Sequence, residues 1–298
     1  TDMSAMNKLG IIGVGNWGKN LIRDFSKISD IKKCTSRGNV QNIKWLKKNY
    51  PSIEYVSNQK EIFNDEEINA VIISTPLKTH YALVKQALLS KKHVFIEKPI
   101  CSKLSDAKEL IKIAKRNNLF LFVGHIFLFN EVLKKLIQIS KKEKIIYTQF
   151  QWNKFGTFDE DIFLNLLSHD ISIILKLFGK PKKIKVQSSF GLISKCDIVT
   201  LNLELSQNKE CQIHLNRCSD NKQKLVTIFT EKNVYLWDDL KLYKNNKKSD
   251  QFKLIFESKS TPLEIQCKKF IAELNKSKKS SEYANLAKDV IQVIQKLK

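Results

Sequence analysis

One glycine pattern near the amino terminus restricts the possible folds of this chain more than any other feature. Lys8 to Val14 reads as a short apolar strand, and it runs into Gly13-Val14-Gly15-Asn16-Trp17-Gly18, which opens a helical pattern reaching about Lys27. In that context each glycine has a mechanical task. Gly13 permits a tight turn, Gly15 lets a pyrophosphate approach the backbone, and Gly18 lets helix and strand pack closely. The amides at the helix start, at Asn16 and Trp17, are then free to face phosphate groups. Strand, turn and helix in this order fit a dinucleotide-binding domain, so the expected fold class is α/β with a doubly wound parallel Rossmann sheet.

The rhythm continues downstream. Ala70 to Thr75 is a fully apolar strand ending in Ser74-Thr75-Pro76, which would wall the cofactor cleft, and Leu77 to Leu89 reads as the following helix. His80 at its start is expected to hydrogen-bond locally. Val94 to Ile96 form another buried strand, which runs into Glu97-Lys98-Pro99. A lysine at the carboxyl end of such a strand sits where open α/β sheets bind ligands. Pro99 fixes its own φ and keeps Lys98 out of the helical region, which aims the ammonium. A helix from Leu104 to Lys115 and a strand from Leu119 to Val123 close the repeat, giving a dinucleotide-binding domain over residues 1–125.

After residue 125 the pattern changes, and residues 126–298 are expected to form a substrate and oligomerisation domain. A helix from Glu131 to Ile139, a strand from Ile145 to Trp152 and a helix from about Asp161 to Phe178 precede a run of strands. Val199, Leu201, Leu203 and Leu205 alternate with polar residues, as do Cys211, Ile213 and Leu215, which is the period-two pattern of a sheet with one apolar face. The expectation is an α/β domain with a largely antiparallel, open-faced sheet. The polar face is open to solvent or to a subunit interface, and His214 on it is read as structural.

Composition excludes some classes. A net charge of +22 suggests nucleic acid, but the 52 basic residues include only Arg23, Arg37, Arg116 and Arg217 as arginines. Arginine's planar fork dominates phosphate and base readout. A lysine coat on a soluble surface, with no nucleic-acid partner, is the expectation. Cys34, Cys101, Cys196, Cys211, Cys218 and Cys267 form no Cys-x-x-Cys pair, so neither metal site nor disulfide framework is expected, and a reducing, cytoplasmic compartment follows. The most apolar stretch, Leu119 to Phe129, is too short to span a bilayer. No charged-then-apolar leader opens the chain, and Thr1 to Met6 reads as a disordered end.

Cofactor choice depends on the end of the second strand. No acid stands between Asp30 and Glu54 to take a ribose hydroxyl, and the expected position falls in Cys34-Thr35-Ser36-Arg37. Ser36 followed by Arg37 suits a 2′-phosphate, which favours NADP and leaves NAD open, with Arg37 merely solvated, as the alternative. In the helix at Asp161 to Phe178, Asn165 and His169 stand four residues apart on one side. A histidine presented this way can exchange a proton with a substrate hydroxyl, or serve as a hydrogen-bonded residue in a domain interface.

Taken together, Gly13-x-Gly15-x-x-Gly18, Ser74-Thr75-Pro76 with His80, Glu97-Lys98-Pro99 and Leu167-Ser168-His169-Asp170-Ile171 resemble the Gfo/Idh/MocA family of NAD(P)-dependent oxidoreductases. The stretch from Val123 to Asn130, followed later by His169-Asp170-Ile171-Ser172-Ile173, is most similar to members encoded with sugar and nucleotide-sugar pathways. The resemblance implies hydride transfer between nicotinamide and a hydroxyl-bearing carbon of a sugar or nucleotide-sugar, and assembly as a homodimer or homotetramer. It implies that Lys98 contacts nicotinamide ribose and reacting hydroxyl, that Glu97 helps hold the cofactor, that Pro99 sets the turn, often through a cis bond, and that His169 is the acid or base. Many relatives carry an aspartate where this chain has Asn165. An amide orients an imidazole but does not stabilise imidazolium as a carboxylate does. Three readings follow: Lys98 does the proton work, reduction is the favoured direction, or activity has decayed to a non-catalytic NAD(P)-binding sensor or scaffold. Asp170, about a quarter turn away on the helix, is a poor substitute.

Overall fold

The computed structural model describes residues 6–248 and 250–297, with the backbone alone at Asn208. The expectation for Thr1 to Met6 therefore lies, Met6 apart, outside the described residues. Among the described residues no helix is long and apolar enough to cross a membrane.

The chain divides into two compact units. One comprises the residues up to His125 and Leu263–Lys288, the other Ile126–Pro262 with the residues from Asp289 on. In the first, β1 (Lys8–Ile12), α1 (Asn16–Phe25), β2 (Asp30–Thr35), α2 (Val40–Asn49), β3 (Glu54–Tyr55), α3 (Lys60–Phe63), β4 (Ala70–Ile73), α4 (His80–Leu89), β5 (His93–Glu97), α5 (Leu104–Arg116) and β6 (Leu121–Gly124) follow in order. The strands pair in parallel as β3-β2-β1-β4-β5-β6. That order reverses direction between β1 and β4, which puts a crevice at the carboxyl ends of those strands. Every residue of β4 and β6 is buried, as expected of strands covered on both faces.

The second unit opens with α6 (Glu131–Ser140) and β7 (Ile145–Phe155), then a π-helical turn (Phe163–Leu167) leading into α7 (Ser168–Phe178). There follow β8 (Lys183–Phe190), β9 (Ile198–Glu204), β10 (Glu210–Asn216), β11 (Cys218–Thr230), β12 (Val234–Asp238), β13 (Lys241–Asn245) and β14 (Lys253–Glu257). The sheet runs β14-β13-β12-β11-β7-β10-β9-β8, antiparallel throughout except for the parallel β7–β10 pair. Val199, Leu201, Leu203, Cys211, Ile213 and Leu215 are buried, as their alternation requires. α7 buries every residue from Ser168 to Ile174, so its polar side chains need partners inside the protein.

Two elements differ from expectation. The helix expected from about Asp161 begins as a π turn, with Asp161 Oδ1 accepting from the Phe163 amide at 2.8 Å. The sequence pattern assigns residues 126–298 to one domain and names no element after Leu215; the closing helices α8 (Pro262–Leu274) and α9 (Glu282–Gln295) stand there, and Leu263–Lys288 groups with the first unit. The cause is aromatic packing. Phe270 meets Phe25, Phe95, Phe120 and Phe122 with ring centres 5.9, 5.5, 5.7 and 5.7 Å away. Such pairs each add about 0.5–1.5 kcal/mol beyond burial.

Candidate active site

The glycine turn separates what the fold needs from what it does not. Gly13 has φ +107°, and a Cβ there would stand 2.7 Å from the Ser74 carbonyl oxygen. A Cβ on Gly18 would stand 2.0 Å from the Gly13 carbonyl oxygen, so α1 could not approach β1. Ser74 Oγ donates to that same oxygen at 2.9 Å and ties the turn after β4 to it. Gly15 differs: its φ is −76°, open to any residue, and a Cβ would meet nothing within 4 Å among the described residues beyond its chain neighbours. Among the described residues the first turn of α1 also has no side-chain cap, and it carries no acidic residue. An uncapped helix start beside backbone kept bare without a packing reason fits the pyrophosphate of a dinucleotide.

Ser36 and Arg37 follow β2 directly. The Ser36 carbonyl oxygen accepts from Tyr55 Oη at 3.0 Å and from the Gly38 amide at 2.6 Å, which fixes the backbone there. Arg37 is exposed and has no ion pair among the described residues.

The turn after β5 is held from α4. Lys98–Pro99 is a cis peptide bond. His80 Nδ1 lies 2.7 Å from the Pro99 carbonyl oxygen and its Nε2 lies 2.7 Å from that of Thr75, so the imidazole staples the turn after β4 to the turn after β5. Both oxygens are acceptors, so a neutral ring donates to one of them, and both contacts are donated together only when each nitrogen carries a proton. Burial, and after the two backbone contacts the nearby Lys98 charge, hold the ring below the ordinary histidine range. His80 thus hydrogen-bonds to the two turns that are expected to wall the cofactor cleft.

Glu97 is the most perturbed acid of this cluster. Burial pushes its carboxyl up to about 7, against a hydrogen bond from the Trp17 side chain and the charge of Lys98. Its Oε1 is buried with no hydrogen-bond partner among the described residues. β5 and β6 pair Glu97 with Gly124, which brings His125 to the same end of the sheet. Both His125 ring nitrogens are buried without a partner among the described residues, and burial, then the Lys98 charge, pushes its pKa down to about 3. The turn that presents Lys98 therefore offers orphaned polar atoms that suit a polar ligand such as a nucleotide.

In the second unit, Asn165 lies in the π turn and donates from Nδ2 to Glu160 Oε2. π turns recur at functional sites. His169 opens α7, buried between two aromatic rings: Phe127 stands edge-on at 5.1 Å and Trp152 lies tilted at 5.1 Å. The sequence reading missed Lys224. It lies opposite Trp152 in the β7–β11 register, and its Nζ is 4.1 Å from the Trp152 ring centre and 4.8 Å from that of Phe127. It donates to Asp170 Oδ1, and the carboxylate is wholly buried. Burial pushes each partner toward its neutral form, and the opposite charge pushes back. Lys224 and His169 thus share one pair of rings. A signal existed: Lys224 keeps the alternation of the buried Val226 and Ile228 and so occupies an inward position of β11.

Residues 7–125 match the model of the oxidoreductase family with NAD-binding Rossmann fold, Gfo/Idh/MocA. The uncharacterised oxidoreductase YrbE of Bacillus subtilis is 32% identical over 46% of this chain and 40% of its own length. The scyllo-inositol 2-dehydrogenase (NADP(+)) IolW of the same organism is 30% identical over 59% of this chain and 53% of its own. UDP-N-acetylglucosamine 3-dehydrogenase of Acidithiobacillus ferrooxidans is 24% identical over 74% of this chain and 71% of its own. A solved structure of that enzyme superposes with a TM-score of 0.87 at 20% identity, covering 97% of this chain and 96% of that one. The chain spans less than half the length of the first curated relatives it matches.

Proposed function

We propose, for a chain that belongs through residues 7–125 to the Gfo/Idh/MocA oxidoreductase family, that it moves a hydride between a nicotinamide nucleotide and a hydroxyl-bearing carbon of a sugar or nucleotide-sugar. The observation that carries this is Gly15, bare where the fold itself imposes no need, between two glycines that packing does require. Relatives named for inositol and UDP-N-acetylglucosamine support the sugar-like substrate class. Ser36 and Arg37 at the end of β2 support NADP over NAD.

When bound, the nicotinamide supplies the acceptor or donor of the hydride. The chain's own residues do the rest. The amides at the start of α1 take the pyrophosphate, and Glu97, with the Trp17 indole on it, holds the nucleotide. The Lys98 ammonium lowers the cost of alkoxide charge as the hydride leaves the carbon. The His169 imidazole takes the hydroxyl proton in oxidation and returns it in reduction. Phe127 and Trp152 fix the plane of that ring, which a proton transfer needs.

The test is turnover against a panel of inositols, hexoses and nucleotide-sugars, followed by nicotinamide absorbance. Wild-type protein is expected to turn over at least one, and Lys98→Met and His169→Asn to bind cofactor yet lose turnover. Cofactor binding with no turnover on any member would support instead a non-catalytic sensor.

A further inference from the structure

β7 and β11 lose register beside the aromatic box. Trp152 pairs with Lys224 and Asn153 with Gln223, but the next pair is Phe155 with Cys218. One residue on β7, Lys154, therefore faces the segment 219–222 on β11. Extra residues of this kind bow a strand outward and re-aim its side chains. Phe150 is buried and Trp152 packs on His169, so alternation puts Lys154 on that same face of β7, about 7 Å beyond Trp152.

The cations here are treated unequally. Lys224 has the Asp170 carboxylate. Arg217 has Asp197 at 3.1 Å, the Thr157 and Glu160 carbonyl oxygens at 2.7 and 2.6 Å, and the Cys196 carbonyl oxygen at 2.9 Å. Lys154 is half-buried and has no hydrogen bond or ion pair to any described residue. Burial lowers its pKa, the Lys222 and Arg217 charges push the same way, and only Glu160 opposes. Glu160 is exposed and already accepts from Asn165. A partly desolvated ammonium among like charges is unfavourable until an anion joins it.

We propose that Lys154 and Lys222 anchor a phosphate group of the substrate at this bulge. The inference rests on the oxidoreductase reading and narrows its substrates to phosphate-bearing sugars, either sugar phosphates or nucleotide diphosphate sugars. Two ammonium groups on neighbouring strands match a multiply charged phosphate better than a single carboxylate. With the phosphate there, the attached sugar extends along β7 over Trp152 toward His169.

Calorimetric titration of cofactor-saturated protein with inorganic phosphate, inorganic pyrophosphate, UDP and glucuronate tests it. UDP and pyrophosphate are expected to bind more tightly than glucuronate, and Lys154→Met to weaken them by about 10-fold or more, with a smaller loss in Lys222→Met. Preference for UDP over pyrophosphate identifies the nucleotide source; tight inorganic phosphate binding identifies sugar phosphates. Retained cofactor affinity in Lys154→Met certifies its fold. Unchanged UDP and pyrophosphate affinity in Lys154→Met overturns the proposal, as does an equal loss in Lys183→Met on β8, which would mean general charge attraction. Glucuronate binding as tight as pyrophosphate overturns the phosphate assignment. If wild-type protein binds neither NADPH nor NADH the oxidoreductase reading fails instead, and the same titrations on cofactor-free protein still decide the anion site.

Discussion

The two regions that carry the candidate chemistry are built in different ways. Around Gly13–Gly18 and Glu97–Pro99, residues follow parallel strands and meet at their carboxyl ends, with Ser74 and His80 tying one turn to the next. Around His169, the partners come from three separate elements: Phe127 from the turn before α6, Trp152 from β7, and Lys224 from β11. The first region is assembled by turns whose local sequence dictates them. The second exists only when the sheet of the second unit is in register.

That contrast can be broken by mutation, and the largest effect is expected in the second region. Lys224→Met leaves the Asp170 carboxylate buried and unpaired, which should cost about 3–5 kcal/mol in denaturant unfolding. Adding Asp170→Asn should recover most of that loss. A Lys224→Met variant as stable as wild type would mean that the pair does not organise this region.

In the first region, pH is the sharper probe. The Glu97 carboxyl is pushed from 4.5 up to about 7, so the folded protein holds its proton more tightly than the unfolded chain does. The resulting stabilisation is full below the unfolded pKa and is lost as pH rises through about 7, roughly 3 kcal/mol in all. Unfolding midpoints measured over about pH 5–8 should fall with pH in wild-type protein and stay flatter in Glu97→Gln. Equal slopes would remove Glu97 as the buried acid.

Gly18→Ala tests whether the turn is as local as it looks. Its Cβ would press on the Gly13 carbonyl oxygen, and a cost of about 1–3 kcal/mol is expected, with loss of cofactor affinity. The smallest effect is expected at Asn165→Asp. A carboxylate there could support imidazolium at His169, but it would lose the amide's donation to Glu160 and meet a second negative charge. Oxidation rates should rise by no more than a few-fold. A large rise would give the position more weight than its present contact with Glu160 suggests.

The same contrast explains what could be read in the chain. The glycine turn and the apolar strands of the parallel sheet are coded by neighbours in sequence, and the structure has them at those places. The alternating strands β9 and β10 were equally legible. Leu263–Lys288 was not, because its place is set by Phe270 inserting among Phe25, Phe95, Phe120 and Phe122, all far away in sequence. The strands β12 to β14 alternate weakly and are short. Lys224 looked like one more member of the lysine coat until register put it opposite Trp152. The π turn at Phe163–Leu167 follows from no residue pattern recognised in the sequence, although Asp161 caps its start.

The most direct test of a nicotinamide-dependent oxidoreductase is a fluorescence titration of wild-type protein and Gly15→Ala with NADPH and, separately, NADH. Among the described residues a Cβ on Gly15 meets nothing within 4 Å beyond its chain neighbours, so that variant should unfold like wild type. The expected result is micromolar binding to wild type, tighter for NADPH, and a loss of about 10-fold or more in Gly15→Ala. Tighter NADH binding would keep the fold and discard Arg37 as the 2′-phosphate contact. Absence of binding by either nucleotide, or equal binding by Gly15→Ala, would contradict the central claim.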